Sequence, residues 1–294
     1  MTSPIVLLTD FGLRDPYVGQ MKGVILGIAP EARIVDLTHD VPPQDVGAAA
    51  RILQESWTYF PEHTVFVSVV DPGVGTDRAC LCVGAEMRWF LAPDNGLLGF
   101  LQEEERIDCA FRIENRRLML PEVSSTFHGR DIFAPVAAHL AGELDVAELG
   151  PVVDRIVEID EPRPTRLAAG TMLGEVVHVD RFGNLITNVE AQHLRTLVYD
   201  MHGSAPLEAC GLFIEAGEHS VGVLERTYGS VPSGTSLALI GSSGRLEVAV
   251  NGGSAAQALG LAVGTPVRIV ACAPAAPALR SGRDREGGPG AAKP

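Results

Sequence analysis

Two aspartates in the first half of the chain stand at equivalent places and are the first candidates for chemistry. Asp10 follows a short apolar segment, residues 5–8, and Asp71 directly follows a second one, residues 64–70. Both segments are typical of strands buried on both faces of a parallel sheet. In such sheets, ligands bind beyond the carboxyl ends of the strands. The pair therefore predicts a ligand site at that edge, although an aspartate after a strand also commonly caps a turn.

A histidine in another polar segment is the next candidate. His128 belongs to residues 125–131, Ser-Thr-Phe-His-Gly-Arg-Asp, which come just before a predicted helix. A single histidine is more often structural than catalytic, so the signal is weak by itself. The chain has no His-Glu-x-x-His motif, no Cys-x-x-Cys pair and no Gly-x-Ser-x-Gly elbow. Those motifs mark zinc sites and covalent nucleophiles, so we expect neither a metal nor a covalent intermediate.

Two polar stretches in the second half of the chain also attract attention. Residues 180–188 and 241–251 are flanked by predicted strands and are rich in glycine, asparagine, aspartate and serine. This composition fits hairpin turns and a binding site about equally well. The pattern alone leaves both interpretations open.

The elements that must position these residues change character along the chain. Apolar segments alternate with helical patterns in the first half, which predicts an α/β domain over residues 1–160 with a mainly parallel sheet. Residues 161–170 form a proline-containing linker, and residues 171–272 carry short strands typical of an antiparallel barrel or sandwich. Residues 273–294 have almost nothing to bury, which predicts a disordered tail.

Two helix starts are indicated by the sequence. Asp15 precedes Pro16 and an amphipathic pattern, and a second such pattern begins near Asp45. At the first start we expect Asp15 to cap the helix, because aspartate accepts hydrogen bonds from the free N–H groups of a first turn and proline fits that turn. We expect the second helix to begin near Asp45.

Composition excludes several classes of function. The chain has 294 residues, 46% of them hydrophobic, with 37 acidic and 23 basic side chains and a formal charge of −14. This balance argues against a nucleic-acid partner, because such binding depends on Lys and Arg neutralising phosphates. The two lysines, Lys22 and Lys293, lie outside any P-loop pattern. No signal peptide or membrane-spanning run is evident, so we expect a cytoplasmic protein without a membrane partner.

Six motifs, taken together and in order, resemble those of a known family. They are residues 10–12 (DFG), 71–76 (DPGVGT) with Arg78, 94–98 (DNGLL), 127–131 (FHGRD), 182–188 (FGNLITN) and 242–244 (SSG). The same order is seen in the S-adenosyl-L-methionine hydroxide adenosyltransferases, which are relatives of the fluorinase and chlorinase enzymes. The resemblance spans about residues 4–272.

The resemblance implies a fold, an assembly and a reaction. The fold is an N-terminal α/β domain followed by a C-terminal antiparallel β-barrel. The assembly is a homotrimer in which the ligand lies between one subunit's N-terminal domain and its neighbour's C-terminal domain. The reaction is displacement at the 5′ carbon of S-adenosyl-L-methionine, which water converts to adenosine and L-methionine in the hydrolytic branch. S-adenosyl-L-methionine is the substrate, and no cofactor is implied.

Roles for individual residues follow from the same resemblance. The hydrolytic branch is marked by an aspartate, an arginine and a histidine, which fall on Asp71, Arg78 and His128. Asp10 would hold the ribose hydroxyls and Asn184 would meet the adenine. The other implied substrate-binding residues contact the amino-acid end or lie near it: Asp15, Asp180, Ser242, Glu247 and Val250.

Two alternative functions are weighed against this one. A halogenase must dehydrate a halide in a small apolar pocket, and the family's halogenases carry other residues at the positions of Arg78 and His128. The fluorinase also has an inserted loop after the strand near Arg78, whereas the corresponding segment of this chain, residues 78–93, is short. A non-catalytic sensor of adenosine or S-adenosyl-L-methionine could keep Asp10, Asn184 and Ser242 and lose the water-handling set. The intact set favours the hydrolase.

Overall fold

The structure is a computed structural model that describes residues 3–142, 144–168, 170–202 and 211–271. The predicted disordered tail, residues 273–294, lies outside the described residues. The chain divides into two compact units, Met1–Glu161 and Pro162–Pro294. Each unit is described separately below.

The N-terminal unit is a six-stranded sheet with helices on both faces. Its strands are β1 (Ile5–Thr9), β2 (Ile34–Thr38), β3 (Val65–Val69), β4 (Cys80–Ala85), β5 (Arg88–Pro93) and β6 (Ile107–Arg112). Its helices are α1 (Tyr17–Ile28), α2 (Val46–Ser56), α3 (Gly99–Glu103) and α4 (Ala134–Leu140). The strand order is β2-β1-β3-β5-β4-β6. The β1–β2, β1–β3 and β3–β5 pairs are parallel, and β4 is antiparallel to both its neighbours. The predicted mainly parallel sheet is confirmed.

Burial on both faces explains why β1 is apolar without interruption. Ile5 and Leu7 pack into the cluster that contains the buried side chains of α1 and α4. Val6 and Leu8 point to the other face, where they join the cluster that contains α2. Successive side chains of a strand alternate between faces, so a strand covered on both sides needs apolar residues throughout.

The two predicted helix starts have different outcomes. The second helix begins beside Asp45 as expected, and the structure shows that Asp45 also caps it, since its Oδ1 accepts a hydrogen bond from Ala48 N at 2.8 Å. The predicted Asp15 cap is wrong, because Pro16 occupies the cap position of α1 and no side chain caps that end. Asp15 lies one residue too early and is exposed. Within the described ranges, no helix is long and apolar enough to cross a membrane.

The C-terminal unit is built on a closed barrel. Its strands are β7 (Thr165–Ala168), β8 (Thr171–Val179), β9 (Leu185–Glu190), β10 (Leu212–Ala216), β11 (His219–Glu225), β12 (Ser236–Ile240), β13 (Arg245–Val250) and β14 (Pro266–Ala271). Its helices are α5 (Ala191–His202) and α6 (Ala255–Leu259). The strand order is β14-β10-β11-β12-β13-β9-β8, and a β14–β8 pairing closes the ring of seven. The predicted barrel is confirmed.

Two details of this unit differ from the sequence prediction. The β11–β12 pair is parallel, whereas the other pairings in the barrel are antiparallel. The predicted linker, residues 161–170, contains β7, which pairs with the start of β8. The two prolines that suggested a linker, Pro162 and Pro164, precede that strand and leave its hydrogen bonds intact.

Candidate active site

The first two candidate residues lie at one edge of the N-terminal sheet. β1 and β3 are adjacent and parallel, and Thr9 is in register with Val69. Asp10 and Asp71 therefore follow neighbouring strand ends, as predicted. Both residues are partly buried, which is the setting expected for a ligand site at the carboxyl edge of such a sheet.

Asp71, Arg78 and His128 come together in the N-terminal unit. Arg78 Nε donates to Asp71 Oδ1 at 3.0 Å, and Arg78 Nη2 donates to Asp71 Oδ2, so the pair is bidentate. Arg78 Nη2 also lies 2.7 Å from His128 Nδ1. The side chains of Arg78 and Asp71 are only 9% and 5% exposed. Charge-assisted, two-pronged pairs of this kind fix orientation as well as distance.

The remaining N–H groups of Arg78 are occupied as well. Its Nη1 donates to the carbonyl oxygen of Ala79 at 3.3 Å and to Cys80 Sγ at 2.9 Å. A guanidinium has five N–H groups, and described protein acceptors meet all five. Arg78 therefore holds its neighbours in place and has no donor left for a ligand. Cys80 is a contact that sequence reasoning missed.

The contact with Arg78 assigns the tautomer of His128. A guanidinium can only donate, so Nδ1 of His128 is the acceptor and the ring proton is on Nε2. Burial, together with the positive charge of Arg78, lowers the pKa of His128, although Asp71 and Asp131 act in the opposite direction. A carboxylate acceptor beside an imidazole donor can orient one small polar molecule, such as water.

The arginine is stabilised in its charged form by the same contacts. Burial acts to lower the pKa of Arg78, but the hydrogen bonds and negative charge of Asp71 outweigh it and raise that pKa. Burial raises the pKa of Cys80 despite the nearby guanidinium, so its sulfur meets Arg78 as a neutral thiol. The net charge of the cluster is therefore close to zero.

A buried carboxylate holds the loop that carries His128. A single π-helical turn, Gly129–Phe133, follows the histidine. Asp131 within it is fully buried; its Oδ2 accepts from Ser124 N at 2.8 Å, and its Oδ1 from Arg130 Nε at 2.6 Å. These bonds tie the segment before His128 to the turn after it. Isolated π turns occur often at functional sites.

The loop after Asp71 packs against the segment before His128. Gly75 has φ +81°, and a Cβ at this position would lie 2.3 Å from the carbonyl oxygen of Ser125. Only glycine permits both the left-handed backbone and the close approach. The Gly73-Val-Gly75 motif thus joins the two loops.

Asp10 is held by a different contact. Its Oδ2 accepts a hydrogen bond from Gln44 N at 2.8 Å, and Gln44 has a left-handed backbone with φ +66°. The other oxygen, Oδ1, receives no hydrogen bond from the described residues and can meet a ligand. Asp15 is exposed and does not join the cluster around Arg78.

Asp180 and Asn184 form the turn between β8 and β9 in the C-terminal unit. Asp180 Oδ1 accepts from the backbone N–H groups of Phe182 and Asn184 at 2.9 and 2.8 Å. Its Oδ2 accepts from Asn184 Nδ2 at 3.0 Å. The hairpin-turn interpretation is therefore correct for these residues, and Asp180 orients the asparagine.

A cavity of about 520 Å³ lies beside this turn. It is lined by Phe182, Asn184, Tyr228, Val250, Gly252 and Gly253. Two of these, Asn184 and Val250, were predicted site residues. Phe182 begins one of the six motifs but was given no role, and Tyr228 lies outside the motifs. An aromatic residue close to an asparagine in a polar turn is a sequence signal that could have identified Phe182, because aromatic faces stack on planar ligands.

Glu247 holds Tyr228, one of the residues that line the cavity. Tyr228 Oη donates to Glu247 Oε1 at 2.6 Å. Burial and the nearby charge of Asp180 raise the pKa of Glu247, although the tyrosine opposes this. Burial and the glutamate raise the pKa of Tyr228 to about 12. Ser242 is exposed in the turn after β12 and does not line the cavity.

No metal-binding arrangement is present in the part of the chain that the structure describes. There, no group of three or more His, Cys, Asp or Glu side chains is placed to hold an ion. The chemistry that the two clusters offer is binding, orientation and proton handling by protein side chains.

Comparisons with known proteins agree on one family. Residues 5–150 match the model of the SAM hydroxide adenosyltransferase N-terminal domain, and residues 174–268 match that of its C-terminal domain. The chain is 46% identical to the (R)-S-adenosyl-L-methionine hydrolase of Thermus thermophilus, over 91% of this chain and 99% of the relative. It is 32% identical to a fluorinase of an Actinoplanes species, over 65% of this chain and 72% of that enzyme.

A solved structure gives the same result. The crystal structure of an uncharacterized conserved protein from Thermotoga maritima superposes with a TM-score of 0.82 at 37% identity. The match covers 90% of this chain and 99% of the other. With both domain models matched in order and relatives aligned over nearly their full length, the chain belongs to the SAM hydroxide adenosyltransferase family.

Proposed function

We propose that this chain hydrolyses (R)-S-adenosyl-L-methionine at the 5′ carbon and releases adenosine and L-methionine. The observation that carries the proposal is the polar set of Asp71, Arg78 and His128, in which every N–H of the arginine is satisfied. Such a set suits a water molecule and opposes a desolvated halide. Family membership and the name of the Thermus thermophilus relative support the substrate and its configuration at sulfur.

The leaving group requires little help from the protein. Water oxygen forms a bond to C5′ as the C5′–S bond breaks, and the electron pair of that bond stays on sulfur. The positive sulfonium becomes a neutral thioether, so no general acid is needed. The site must place the nucleophile in line with the breaking bond, and positioning of that kind contributes up to roughly 7–11 kcal/mol in ideal cases.

Asp71 and His128 divide the handling of the water between them. Because Nδ1 of His128 is occupied by Arg78 and Nε2 carries the proton, the histidine donates to the water oxygen. Asp71 accepts a hydrogen bond from the water and passes the released proton to solvent. Arg78 positions both groups and does not touch the water. These proposed roles are more specific than those that the family resemblance implies for Asp71, Arg78 and His128.

Substrate binding is assigned to the remaining candidate residues. The aromatic walls of the cavity, Phe182 and Tyr228, stack on the adenine, and Asn184 hydrogen-bonds its edge. The open oxygen of Asp10 takes the ribose hydroxyls. The amino-acid end of the substrate, which carries the cationic sulfonium and ammonium groups, meets or lies near the other candidates: Asp15, Asp180, Ser242, Glu247 and Val250.

The proposal includes an assembly and a cellular location. The family resemblance supports a homotrimer with each site shared between subunits and with no cofactor. The free thiols of Cys80, Cys82 and Cys109 fit a reducing compartment, which supports the cytoplasm. The mass of the particle in solution, measured by light scattering, tests the trimer directly.

Product analysis tests the reaction and its alternatives. The protein is incubated with each sulfonium epimer of S-adenosyl-L-methionine, with and without chloride or fluoride, and products are separated by chromatography. The proposal expects adenosine and methionine from the R epimer without halide. A 5′-halo-5′-deoxyadenosine identifies a halogenase instead, and bound but unchanged substrate identifies a sensor. Preference for the S epimer contradicts the proposed configuration.

A further inference from the structure

A connected chain of polar side chains lies behind Asp10, outside the clusters described above. We call it the His39 network, and its members are Thr9, His39, Asp36 and Lys22. Thr9 ends β1, Asp36 lies in β2, His39 follows β2 and Lys22 projects from α1. None of these four residues belongs to the six motifs, and Lys22 lies outside any P-loop pattern.

The contacts run from the sheet edge to the surface. Thr9 Oγ1 lies 2.8 Å from His39 Nδ1. His39 Nε2 lies 3.1 Å from Asp36 Oδ1, which is an ion-pair distance without hydrogen-bond geometry. Asp36 Oδ2 lies 2.6 Å from Lys22 Nζ. The chain therefore links a hydroxyl, an imidazole, a carboxylate and an ammonium group in that order.

Burial makes this network different from a surface ion pair. Thr9 is fully buried and the side chain of His39 is 2% exposed, whereas the Asp36 and Lys22 side chains are 37% and 33% exposed. Burial acts to raise the pKa of Asp36, but its contacts with Lys22 and His39 outweigh burial and lower that pKa. Buried polar groups are costly unless they are paired, so the histidine and threonine depend on each other.

The inner end of the network fixes the backbone on both sides of Asp10. Thr9 Oγ1 accepts a hydrogen bond from Phe11 N at 3.3 Å. The carbonyl oxygen of His39 accepts from Gly12 N at 2.8 Å. The residues directly before and after Asp10 are thus both tied to the network, while Gln44 N holds one oxygen of its carboxylate.

We propose that the His39 network positions Asp10 for ligand binding, so that Thr9 and His39 are positioning residues of the substrate site. The identity of the ligand rests on the proposed function, whereas the positioning itself does not. The network touches neither Asp71 nor His128 in the described contacts, so it acts on substrate binding and not on the water.

The Thr9→Val variant removes the hydroxyl while keeping the shape of the side chain. We expect the KM for S-adenosyl-L-methionine to rise about tenfold, as one misplaced hydrogen-bonding group does, with kcat changed less than about threefold. Thr9→Ser keeps the hydroxyl and is expected to restore the wild-type KM. Asp36→Asn, at the partly exposed end, gives a smaller rise and serves if Thr9→Val does not fold.

Ser68→Ala is the matched control. Ser68 lies on β3 beside Leu8 of β1, is 1% exposed, and its hydroxyl has no hydrogen-bond partner among the described residues. Loss of this buried hydroxyl is expected to leave KM and kcat unchanged. A KM for Thr9→Val within twofold of wild type, a loss confined to kcat, or equal effects of Ser68→Ala each overturn the proposal.

Hydrogen exchange separates this proposal from the proposed function. Thr9→Val is expected to speed amide exchange at Phe11 and Gly12 by about tenfold, and Thr9→Ser and Ser68→Ala are expected not to. If the wild-type protein turns over no S-adenosyl-L-methionine, the proposed function fails while faster exchange still supports the network. Unchanged exchange at these two amides rejects the network whatever the activity.

Discussion

Arg78 organises the candidate active site by using all of its donors on protein groups. Its contacts reach a carboxylate, an imidazole, a carbonyl oxygen and a thiol. A cation held this way contributes charge and geometry without competing for the water or the substrate. We therefore expect Arg78 to be essential for arrangement, while Asp71 and His128 are the groups proposed to meet the nucleophile.

Asp71→Asn tests the role of the carboxylate. The amide keeps the size of the side chain but accepts through one atom only and no longer pairs with Arg78 in two places. We expect kcat to fall by about 10²–10³ and KM to change by less than about fivefold. Asp77→Asn is the control, since Asp77 is exposed in the same loop and is expected to be neutral. Equal losses in KM and kcat contradict the assigned role.

The titration of His128 should depend on Arg78. Burial and the guanidinium place the folded-state pKa of the histidine below its ordinary value of 6.5. As pH falls through 6.5, the unfolded chain takes up this proton before the folded one does, so stability drops over that interval. Activity is lost at lower pH still, once His128 is protonated in the folded state, because a protonated ring cannot accept from Arg78.

Arg78→Gln is expected to raise the pKa of His128, because the positive charge beside it is gone. The measurement is the NMR titration of the imidazole Cε1–H resonance, compared with the acid limb of kcat against pH. Arg88→Gln removes an arginine that binds the carbonyl of Phe60 and serves as the control. An unmoved titration in Arg78→Gln shows that the contact does not set the protonation of the histidine.

Two loops carry the groups proposed to handle the water, and they contact each other at Gly75. Gly75 brings the loop after β3 against the segment before the π turn. Gly75→Ala is expected to lower the free energy of unfolding by about 3 kcal/mol, because it adds both backbone strain and a Cβ clash. It should also reduce kcat more than KM, since Asp71 and His128 move apart.

Gly73→Ala provides the comparison within the same loop. A Cβ at Gly73 would approach its neighbours no closer than 3.5 Å, and its backbone is not left-handed. We expect a change in unfolding free energy below about 1 kcal/mol. Urea titration of both variants gives the difference, and similar losses in the two would reject the Gly75 contact as the cause.

Elements with a strong local signal could be predicted from the sequence. The β1 segment is a continuous apolar run, the β3 segment is strongly apolar, and the pattern of α2 begins near Asp45, so local patterns located them. The β11–β12 pairing direction and the strand β7 depend on which distant strand lies alongside. Local sequence patterns do not predict which strands pair or in which direction, because pairing depends on tertiary contacts.

The same distinction between local signals and tertiary contacts applies to the residues of the candidate site. Motif order identified Asp71, Arg78 and His128, and the structure brings them into contact. Cys80 and Tyr228 were missed because their importance comes from a neighbour, a guanidinium in one case and a glutamate in the other. Asp15 as a helix cap failed because proline took the position that the aspartate was expected to fill.

At the scale of the whole molecule, only a few of the acidic side chains are connected with the proposed function. Of the 37 acidic side chains, five have a proposed role at the site of one cationic substrate: Asp10, Asp15, Asp71, Asp180 and Glu247. The rest contribute to a negative overall charge, which favours solubility and opposes binding to nucleic acid.

Complementation tests whether active sites are shared between subunits. Asp71→Asn damages only the N-terminal unit, and Asn184→Ala damages only the C-terminal unit. If each site takes one unit from each of two subunits, co-refolded mixtures of the two inactive variants contain some intact sites and recover part of the activity. Mixing either variant with itself is the control. No recovery in particles shown to contain both variants contradicts a shared site.

The closure of the barrel has a consequence for how the protein is made. Residues 171–175 of β8 pair with residues 266–270 of β14, which are among the last described residues of the chain. During synthesis, one edge of β8 therefore stays unpaired until almost the whole C-terminal unit has been translated. An unpaired strand edge is open to pairing with other chains. We therefore expect a nascent chain halted before β14 emerges to expose an unpaired edge of β8 that can pair with other chains.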